Sequence, residues 1–251
     1  MKSAAPHVAP PAAPHAAPPA QSPTAPPVGC PAADPSDRMA PLRHFVAAMN
    51  GLLQTVADER PLLAAARQHL AELIASDHWL PADCAQARPD SYAQYLLYLD
   101  PQQRFSVLSF VWGPGQRTPV HDHTVWGLVG VLRGAERCEE FDLAGAQPRA
   151  SGRHHTLHAG DIEAVSPTLG DWHRMANALD DLPSISIHVY GADIGAVRRH
   201  RLDEQGRVCE FVSGYSAAAV PDLAWRPVAV ATADLAGHRH PCQAGAGQAR
   251  P

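Results

Sequence analysis

The sequence has little that would mark a secreted, nucleic-acid-binding or membrane protein. Its five cysteines are scattered over 251 residues without a Cys-x-x-Cys pair, which predicts reduced thiols and no disulfide framework. Its net charge is -5, which provides no basic surface for nucleic acid. No apolar run approaches the length that crosses a bilayer. The proline-interrupted N-terminus lacks the apolar stretch of a signal peptide, so we expect a cytoplasmic protein without a nucleic-acid or membrane partner.

Proline and alanine dominate both ends of the chain. Residues 1–36 hold too few large apolar side chains to offset the entropy of ordering them, which predicts a disordered tail. Residues 229–251 return to the same composition and are predicted to form a flexible C-terminal tail. The part between them, residues 37–228, is long enough to fold as one domain around a single core.

The first part of this domain has helical periodicity. Apolar residues between Leu42 and Leu53 recur at spacings of three and four, and Pro61 opens a second run that reaches Ile74. We assign residues 37–100 to a helical segment whose apolar stripe packs against the rest of the domain.

Residues 101–216 read instead as short β-strands separated by turn signals, among them Gly113-Pro114-Gly115 and Arg133-Gly134. Such a succession predicts a β-sandwich or a small barrel. The predicted strands are residues 104–112, 120–132, 136–143, 154–158, 162–165, 173–176, 184–190 and 209–212.

Two histidines stand two residues apart inside the second predicted strand. Positions i and i+2 of a strand share a face, so His121 and His123 would converge while Asp122 points away. Converging imidazoles are the beginning of a metal site, but a single His-x-His pair is more often a packed or surface feature.

Glycines at fixed distances strengthen the metal interpretation. The spacing of Gly115, the two histidines, Gly127 and Gly134 matches the first motif of the cupins. The one departure is Gly127, which stands where this motif usually has glutamate. A second cupin motif follows between Gly160 and Asn177, and it contains a third histidine.

The two motifs together predict a metal site of three histidines without a carboxylate, formed by His121, His123 and His173. This donor set suits iron, zinc, copper or nickel. Its neutral ligands leave the full charge on the metal, which favours anionic substrates and deprotonates a bound thiol.

The chain resembles the thiol dioxygenases, non-heme Fe(II) enzymes of the cupin fold, and most of all the bacterial 3-mercaptopropionate dioxygenases. The likeness covers residues 92–215. It implies a mainly β fold, a double-stranded β-helix (jelly-roll barrel) at residues 101–216 after an N-terminal α-helical segment, and Fe(II) on His121, His123 and His173. The segments that carry it are YAQYLLYLDP, RFSVLSFVWGPGQRTPVHDHTVWGLVGVLRGAE, GDIEAVSPTLGDWHRMAN, SISIHVYGADIGAVRR and FVSGYS.

The resemblance also implies a hydrogen-bonded series beside the metal. Ser186, His188 and Tyr190 match the family's Ser-x-His-x-Tyr and would act in catalysis by ordering the outer sphere of the metal. Gly127 takes the place of the cysteine that crosslinks to this tyrosine in the animal cysteine dioxygenases, so no thioether crosslink is expected. The nearest alternative, Cys138, is expected to be a packed thiol on a later strand.

Substrate recognition separates the subfamilies. Gln94 stands where the animal enzymes have an arginine that pairs with the substrate carboxylate, as it does in the mercaptopropionate enzymes. Arg199 would supply the compensating cation, with the neighbouring Arg198 as a competing candidate.

The activity implied by the resemblance is the addition of both atoms of O2 to a small thiol carboxylate, with 3-mercaptopropionate as the first choice. The partners would be this thiol and O2, and the protein a monomer or a weak homo-oligomer. The alternatives are a cysteine dioxygenase, a non-catalytic cupin that binds a metal or a small acid, and another cupin reaction on zinc or nickel.

Overall fold

The structure is a computed structural model that describes residues 37–216. The predicted tails at residues 1–36 and 229–251 lie outside this range. Within it, neither helix combines the length and the apolar character needed to span a bilayer.

Two amphipathic helices open the described part of the chain. They are α1 (Ala40–Thr55) and α2 (Glu59–Ile74), which bury the apolar residues of the two periodic runs, and a short 3-10 helix (Ala82–Ala85) follows. The predicted helical segment is thus present, but β1 (Ala93–Leu99) is a strand inside the range assigned to it. All seven residues of β1 are buried, so the strand lacks the alternating pattern that would have identified it.

Most of the remaining chain is β-structure. The strands predicted at residues 162–165 and 184–190 have the expected bounds. The strand predicted at residues 154–158 begins earlier, at Gln147, and a strand at residues 199–202 was not predicted. The predicted strand at residues 120–132 is wrong in its first half, because the regular strand begins at Gly127. The strands are β2 (Ser106–Trp112), β3 (Gly127–Arg133), β4 (Ala135–Ala144), β5 (Gln147–His158), β6 (Ile162–Val165), β7 (His173–Asn177), β8 (Ser184–Tyr190), β9 (Arg199–Leu202) and β10 (Val208–Phe211).

Two antiparallel sheets form the barrel. The larger has the order β1-β2-β8-β3-β6 and the smaller the order β5-β4-β7, while β9 and β10 form a hairpin. Side chains of both sheets meet in one core, so the sheets face each other. This confirms the mainly β prediction of a double-stranded β-helix, a jelly-roll barrel, with an N-terminal helical segment. The core residues include Leu108, Val131, Cys138, Leu157, Val165 and Met175.

The central strand β8 is buried on both of its faces. Its polar residues Ser186, His188 and Tyr190 alternate with apolar ones, so the two sets lie on opposite sides of the sheet. The helices cover the outer side, which leaves the inner side of β8 to the interior of the barrel. The β8 residues that share a core with α1 and α2 are Ile185, Ile187 and Val189.

The expectation of reduced cysteines is met only in part. Cys84 and Cys138 carry buried thiols that are not in disulfides. Cys209 is disulfide-bonded, which contradicts the expectation at this position. Spacing along the sequence does not show which cysteines a fold brings together, and this is why the bond was missed.

Candidate metal centre

Three imidazoles from two distant parts of the chain meet inside the barrel. The ring centroids of His121, His123 and His173 lie 4.9 Å apart in each pair. One ligand atom from each ring lies within 4.8 Å of the other two, and all three residues are buried. The structure therefore brings together the three histidines that the sequence motifs single out.

These histidines reach their positions by a route that differs from the prediction. His121 and His123 lie on an irregular segment, not on a strand, and Thr124 has a φ of 59°. His121 exchanges two backbone hydrogen bonds of 3.0 Å with His173. The Asp171 carboxylate accepts from the backbone N–H groups of His123 and Thr124, both at 2.9 Å. Tertiary hydrogen bonds, and not the two-residue period of a strand, make the imidazoles converge.

Each imidazole is oriented by a partner on its Nδ1 atom. A carbonyl or carboxylate partner fixes the ring proton on Nδ1, which leaves the lone pair of Nε2 for a metal. Nε2 of His121 and of His123, together with the ring of His173, therefore fit a divalent transition metal as neutral nitrogen donors. The partners are Pro119 O for His121 (3.1 Å), Asp171 Oδ1 for His123 (2.8 Å) and Cys138 Sγ for His173 (3.8 Å).

Burial keeps the three imidazoles in the form that ligates metals. It lowers the pKa of His173 to about 4, and it holds the pKa of His121 and of His123 well below the ordinary value. This group of three contains no carboxylate, and the start of β3 offers only Gly127. A divalent metal held here would keep its charge and attract an anion.

The predicted series on β8 is a continuous hydrogen-bonded chain. Ser186 Oγ lies 2.8 Å from His188 Nε2, and His188 Nδ1 lies 2.8 Å from the Tyr190 hydroxyl. Trp112 Nε1 donates to Ser186 at 3.4 Å. The Tyr190 ring stacks on the ring of His123 with centroids 5.2 Å apart, so the chain ends beside the three histidines.

Burial also sets the protonation of this chain. It lowers the pKa of His188 to about 3 and raises the pKa of Tyr190 above its usual value. The imidazole is therefore neutral and the phenol keeps its proton at neutral pH.

A cavity of about 280 Å³ lies against the three histidines. Tyr190, His188, Arg199 and Gln94 all contribute to its wall, whereas Ser186 lies behind His188 and does not. The structure thus places the predicted metal ligands and both predicted substrate-binding residues around one small space.

Arg199 and Arg198 have very different environments, which decides between the two candidates for a place in the cavity. Arg199 is buried, lies 4.7 Å over the ring of Phe211 and donates to Ser213 Oγ at 2.6 Å. Within residues 37–216 its Nε–H has no hydrogen-bond partner. The side chain of Arg198 is 76% exposed and pairs with Glu210 at the surface.

Gln94 has a partner of its own within the protein. Its Nε2 donates to the carbonyl oxygen of Gly214 at 2.6 Å, which orients the amide from β1 towards the C-terminal part of the described chain. Its side chain brings no charge to the cavity.

Several residues at this site were missed by sequence reasoning. Asp171 orients His123 across 48 positions of sequence, and Tyr92 stacks on Trp112 with ring centroids 4.9 Å apart. Arg201 adds a second cation to the cavity wall. An acidic residue two positions before His173 is the only signal in the sequence that could have identified Asp171.

One buried carboxyl group lies near the far end of the β8 chain. Glu136 on β4 is 0% exposed and accepts from the Ser184 hydroxyl at 3.0 Å, while its other oxygen has no partner among the described residues. Burial raises the pKa of Glu136 to about 7. This side chain therefore changes charge near neutral pH.

No family model matches the chain. Its structure is similar to that of several cupin-superfamily proteins at low sequence identity. A double-stranded β-helix protein from Klebsiella pneumoniae is 19% identical and matches 44% of this chain and 84% of its own, with a TM-score of 0.35. A cupin 2 domain-containing protein from Halorhodospira halophila is 19% identical and matches 48% and 77%, with a TM-score of 0.37. A cupin 2 barrel protein from Salinispora arenicola is 22% identical and matches 45% and 87%, with a TM-score of 0.34. Each likeness covers less than half of this chain.

The absence of a side chain at Gly127 is a requirement of the packing. A Cβ atom at this position would lie 2.7 Å from Cδ1 and 2.8 Å from Cε1 of Tyr190. We expect Gly127→Ala to displace the Tyr190 ring and to lower the free energy of unfolding by about 1–3 kcal/mol, the usual cost of overpacking. Urea unfolding followed by circular dichroism measures this.

Gly51→Ala is the matched control, because a Cβ atom there meets nothing within 4 Å and alanine favours helix α1. Unfolding of Gly127→Ala at the wild-type urea concentration would contradict the packing argument.

Glu136 predicts a pH-dependent stability. Its pKa is raised from 4.5 to about 7 on folding, so its contribution to the free energy of unfolding is full below pH 4.5 and is lost as the pH rises through 7. Between about pH 5 and pH 8 we expect the wild type to lose about 2–3 kcal/mol relative to Glu136→Gln. Urea titrations of both proteins at the two pH values measure the difference. Parallel pH profiles would show that Glu136 does not titrate in this window.

Proposed function

We propose that this protein is an Fe(II)-dependent thiol dioxygenase that converts a small thiol carboxylate, 3-mercaptopropionate in the first place, and O2 to the sulfinic acid. The observation that carries the proposal is a buried arginine, Arg199, whose Nε–H has no partner among residues 37–216 and which lines the same cavity as three neutral imidazoles. His121, His123 and His173 would hold the iron. Fe(II) would supply a centre that brings the thiol and O2 together and promotes their reaction.

The carboxylate of the substrate suits Arg199. A buried donor without an acceptor costs about 1–3 kcal/mol, and a carboxylate in the cavity would remove this cost with a charge-assisted hydrogen bond. The second cation, Arg201, adds to the positive potential of the same wall. A short molecule with a thiol and a carboxylate matches a cavity whose wall contains both the three histidines and an arginine.

The charge of the cavity also favours a substrate without an amino group. None of the described residues that line it is acidic, so the ammonium group of cysteine would find no carboxylate partner. The neutral amide of Gln94, held by Gly214, does not change this balance. 3-Mercaptopropionate lacks the ammonium group and avoids the conflict.

The β8 chain would direct one proton into the cavity. Ser186 Oγ accepts from Trp112 because indole can only donate, and we assign the one proton of the Ser186 hydroxyl to the bond with His188 Nε2. The single proton of neutral His188 then lies on Nδ1 and is donated to the Tyr190 oxygen. Tyr190 would be left with its own O–H to donate to an anion in the cavity.

We propose the thiol and O2 as partners, no binding of nucleic acid or membrane, and a monomer or weak homo-oligomer. We also propose a cytoplasmic location, although the disulfide at Cys209 is a feature that a reducing compartment does not favour.

Oxygen uptake by the iron-loaded protein tests the activity. After anaerobic reconstitution with Fe(II), we expect 3-mercaptopropionate to consume one O2 per sulfinate formed and to be a better substrate than L-cysteine or cysteamine. His173→Ala should lose both bound iron and oxygen uptake.

Each other outcome of this assay contradicts part of the proposal. Faster turnover of L-cysteine would refute the charge argument and indicate a cysteine dioxygenase. An iron-loaded protein without thiol-dependent uptake would indicate a non-catalytic cupin. Bound zinc or nickel in place of iron after purification would favour a different cupin reaction.

The two neighbouring arginines provide a matched pair for testing carboxylate binding. We expect Arg199→Gln to lower kcat/KM for 3-mercaptopropionate by roughly 10- to 100-fold, mostly through KM, because a charge-assisted hydrogen bond is lost. Arg198→Gln removes the same charge from the surface and should leave steady-state oxygen uptake unchanged. Turnover of cysteamine, which has no carboxylate, should be insensitive to both. Equal effects of the two substitutions would contradict the role of Arg199.

A further inference from the structure

A second group of metal-ligating side chains lies beside the three histidines, and none of its members lines the cavity. Cys138 on β4, His155 on β5 and Glu163 on β6 each place one ligand atom within 4.8 Å of the other two. Cys138 is buried and the other two are half-buried, so the group reaches from the barrel interior towards the surface.

The fold assembles this group from both sheets. Cys138 and His155 are cross-strand partners in the β4–β5 ladder, where their side chains share a face. Glu163 comes from β6, which belongs to the five-stranded sheet. The two sheets therefore meet at a sulfur, a nitrogen and an oxygen donor.

Two carboxylates, those of Glu163 and Glu140, lie beside His155, so the group would attract a cation. His155 Nε2 lies 3.2 Å from Glu163 Oε2, and His155 is the only ion-pair partner of Glu163 within residues 37–216. Glu140 lies 3.7 Å from the other nitrogen of His155. The charge of Glu140 is offset by an ion pair with Arg153. No lysine or arginine forms an ion pair with Glu163 in the described chain.

We propose that Cys138, His155 and Glu163 form a second metal site that binds Zn²⁺. Thiolate, imidazole and carboxylate together are a donor set that zinc takes in proteins, and three such ligands leave a fourth position for water. Tetrahedral zinc with its usual bond lengths separates its ligand atoms by roughly 3.4–3.8 Å. The three atoms lie within 4.8 Å of one another, so rotations of the half-buried His155 and Glu163 side chains would bring them to these separations.

The two sites touch through one atom. Cys138 Sγ lies 3.8 Å from Nδ1 of His173, which is the ring nitrogen turned away from the first site. A zinc-bound thiolate at Cys138 would accept a hydrogen bond from this N–H, so both sites can be filled at once. Because of this contact, a substitution of Cys138 also changes the surroundings of His173. A substitution of His155, which leaves the contact in place, is therefore the necessary comparison.

Co²⁺ binding to the full-length apoprotein tests the proposal, because a thiolate ligand gives a charge-transfer band in the near ultraviolet and three histidines do not. We expect two Co²⁺ or Zn²⁺ ions per chain and a thiolate band in the wild type. His123→Ala should keep the band and bind one ion fewer. Cys138→Ser should lose the band and keep the d–d absorption of the histidine site, while Cys84→Ser, which alters another buried cysteine, should keep both.

His155→Gln gives a second readout that leaves the contact between Cys138 and His173 untouched, and it carries the test if Cys138→Ser fails to fold. We expect it to weaken the second Zn²⁺ by more than about 100-fold, since even the outer partners of metal ligands are worth 10- to 100-fold. One ion per wild-type chain, or a thiolate band that survives in Cys138→Ser or His155→Gln, would overturn the proposal. None of these measurements depends on oxygen uptake, so the outcome is independent of the proposed dioxygenase activity.

Discussion

Burial of β8 on both faces is the constraint on which the rest of the structure depends. One face must be apolar, because two helices cover it, and the other carries Ser186, His188 and Tyr190 into the barrel. Polar groups without access to water are stable only when they bond to one another. The hydrogen-bonded chain from Trp112 to Tyr190 meets this demand and at the same time holds a phenol beside three imidazoles.

Two buried ionisable residues of the described chain each have a polar atom without a hydrogen-bond partner. The Nε–H of Arg199 and one oxygen of Glu136 have no partner among residues 37–216, although both residues are buried. A protein that bound nothing in the cavity would carry the cost of Arg199 permanently. An anionic ligand removes this cost and gains affinity from it, which connects the energetics of the barrel with the class of substrate that we propose.

Gly127 affects both the packing of Tyr190 and the set of side chains that can bind a metal. Its backbone lies so close to the Tyr190 ring that any side chain would collide with it. Glutamate at this position, which is usual in the first cupin motif, would therefore require a different place for the tyrosine. The lack of a carboxylate at the start of β3 and the position of Tyr190 are two consequences of the same contact.

The sequence by itself determined the elements whose signals are local. The bounds of β6 and β8, the two helices and the three histidines were all predicted, because periodicity, turn residues and motif spacing lie within short segments. The choice between Arg199 and Arg198 was decided only by the tertiary structure, since two adjacent residues differ in nothing but the side to which they point.

The tertiary structure also decided how the metal ligands converge. His121 and His123 lie on an irregular segment that is shaped by Asp171, and the strand predicted there is absent. The meeting of Cys138 and His155 with Glu163 depends on the approach of two sheets. Contacts of this kind join residues that are distant in sequence, and no local pattern records them because long-range packing and hydrogen bonding create them.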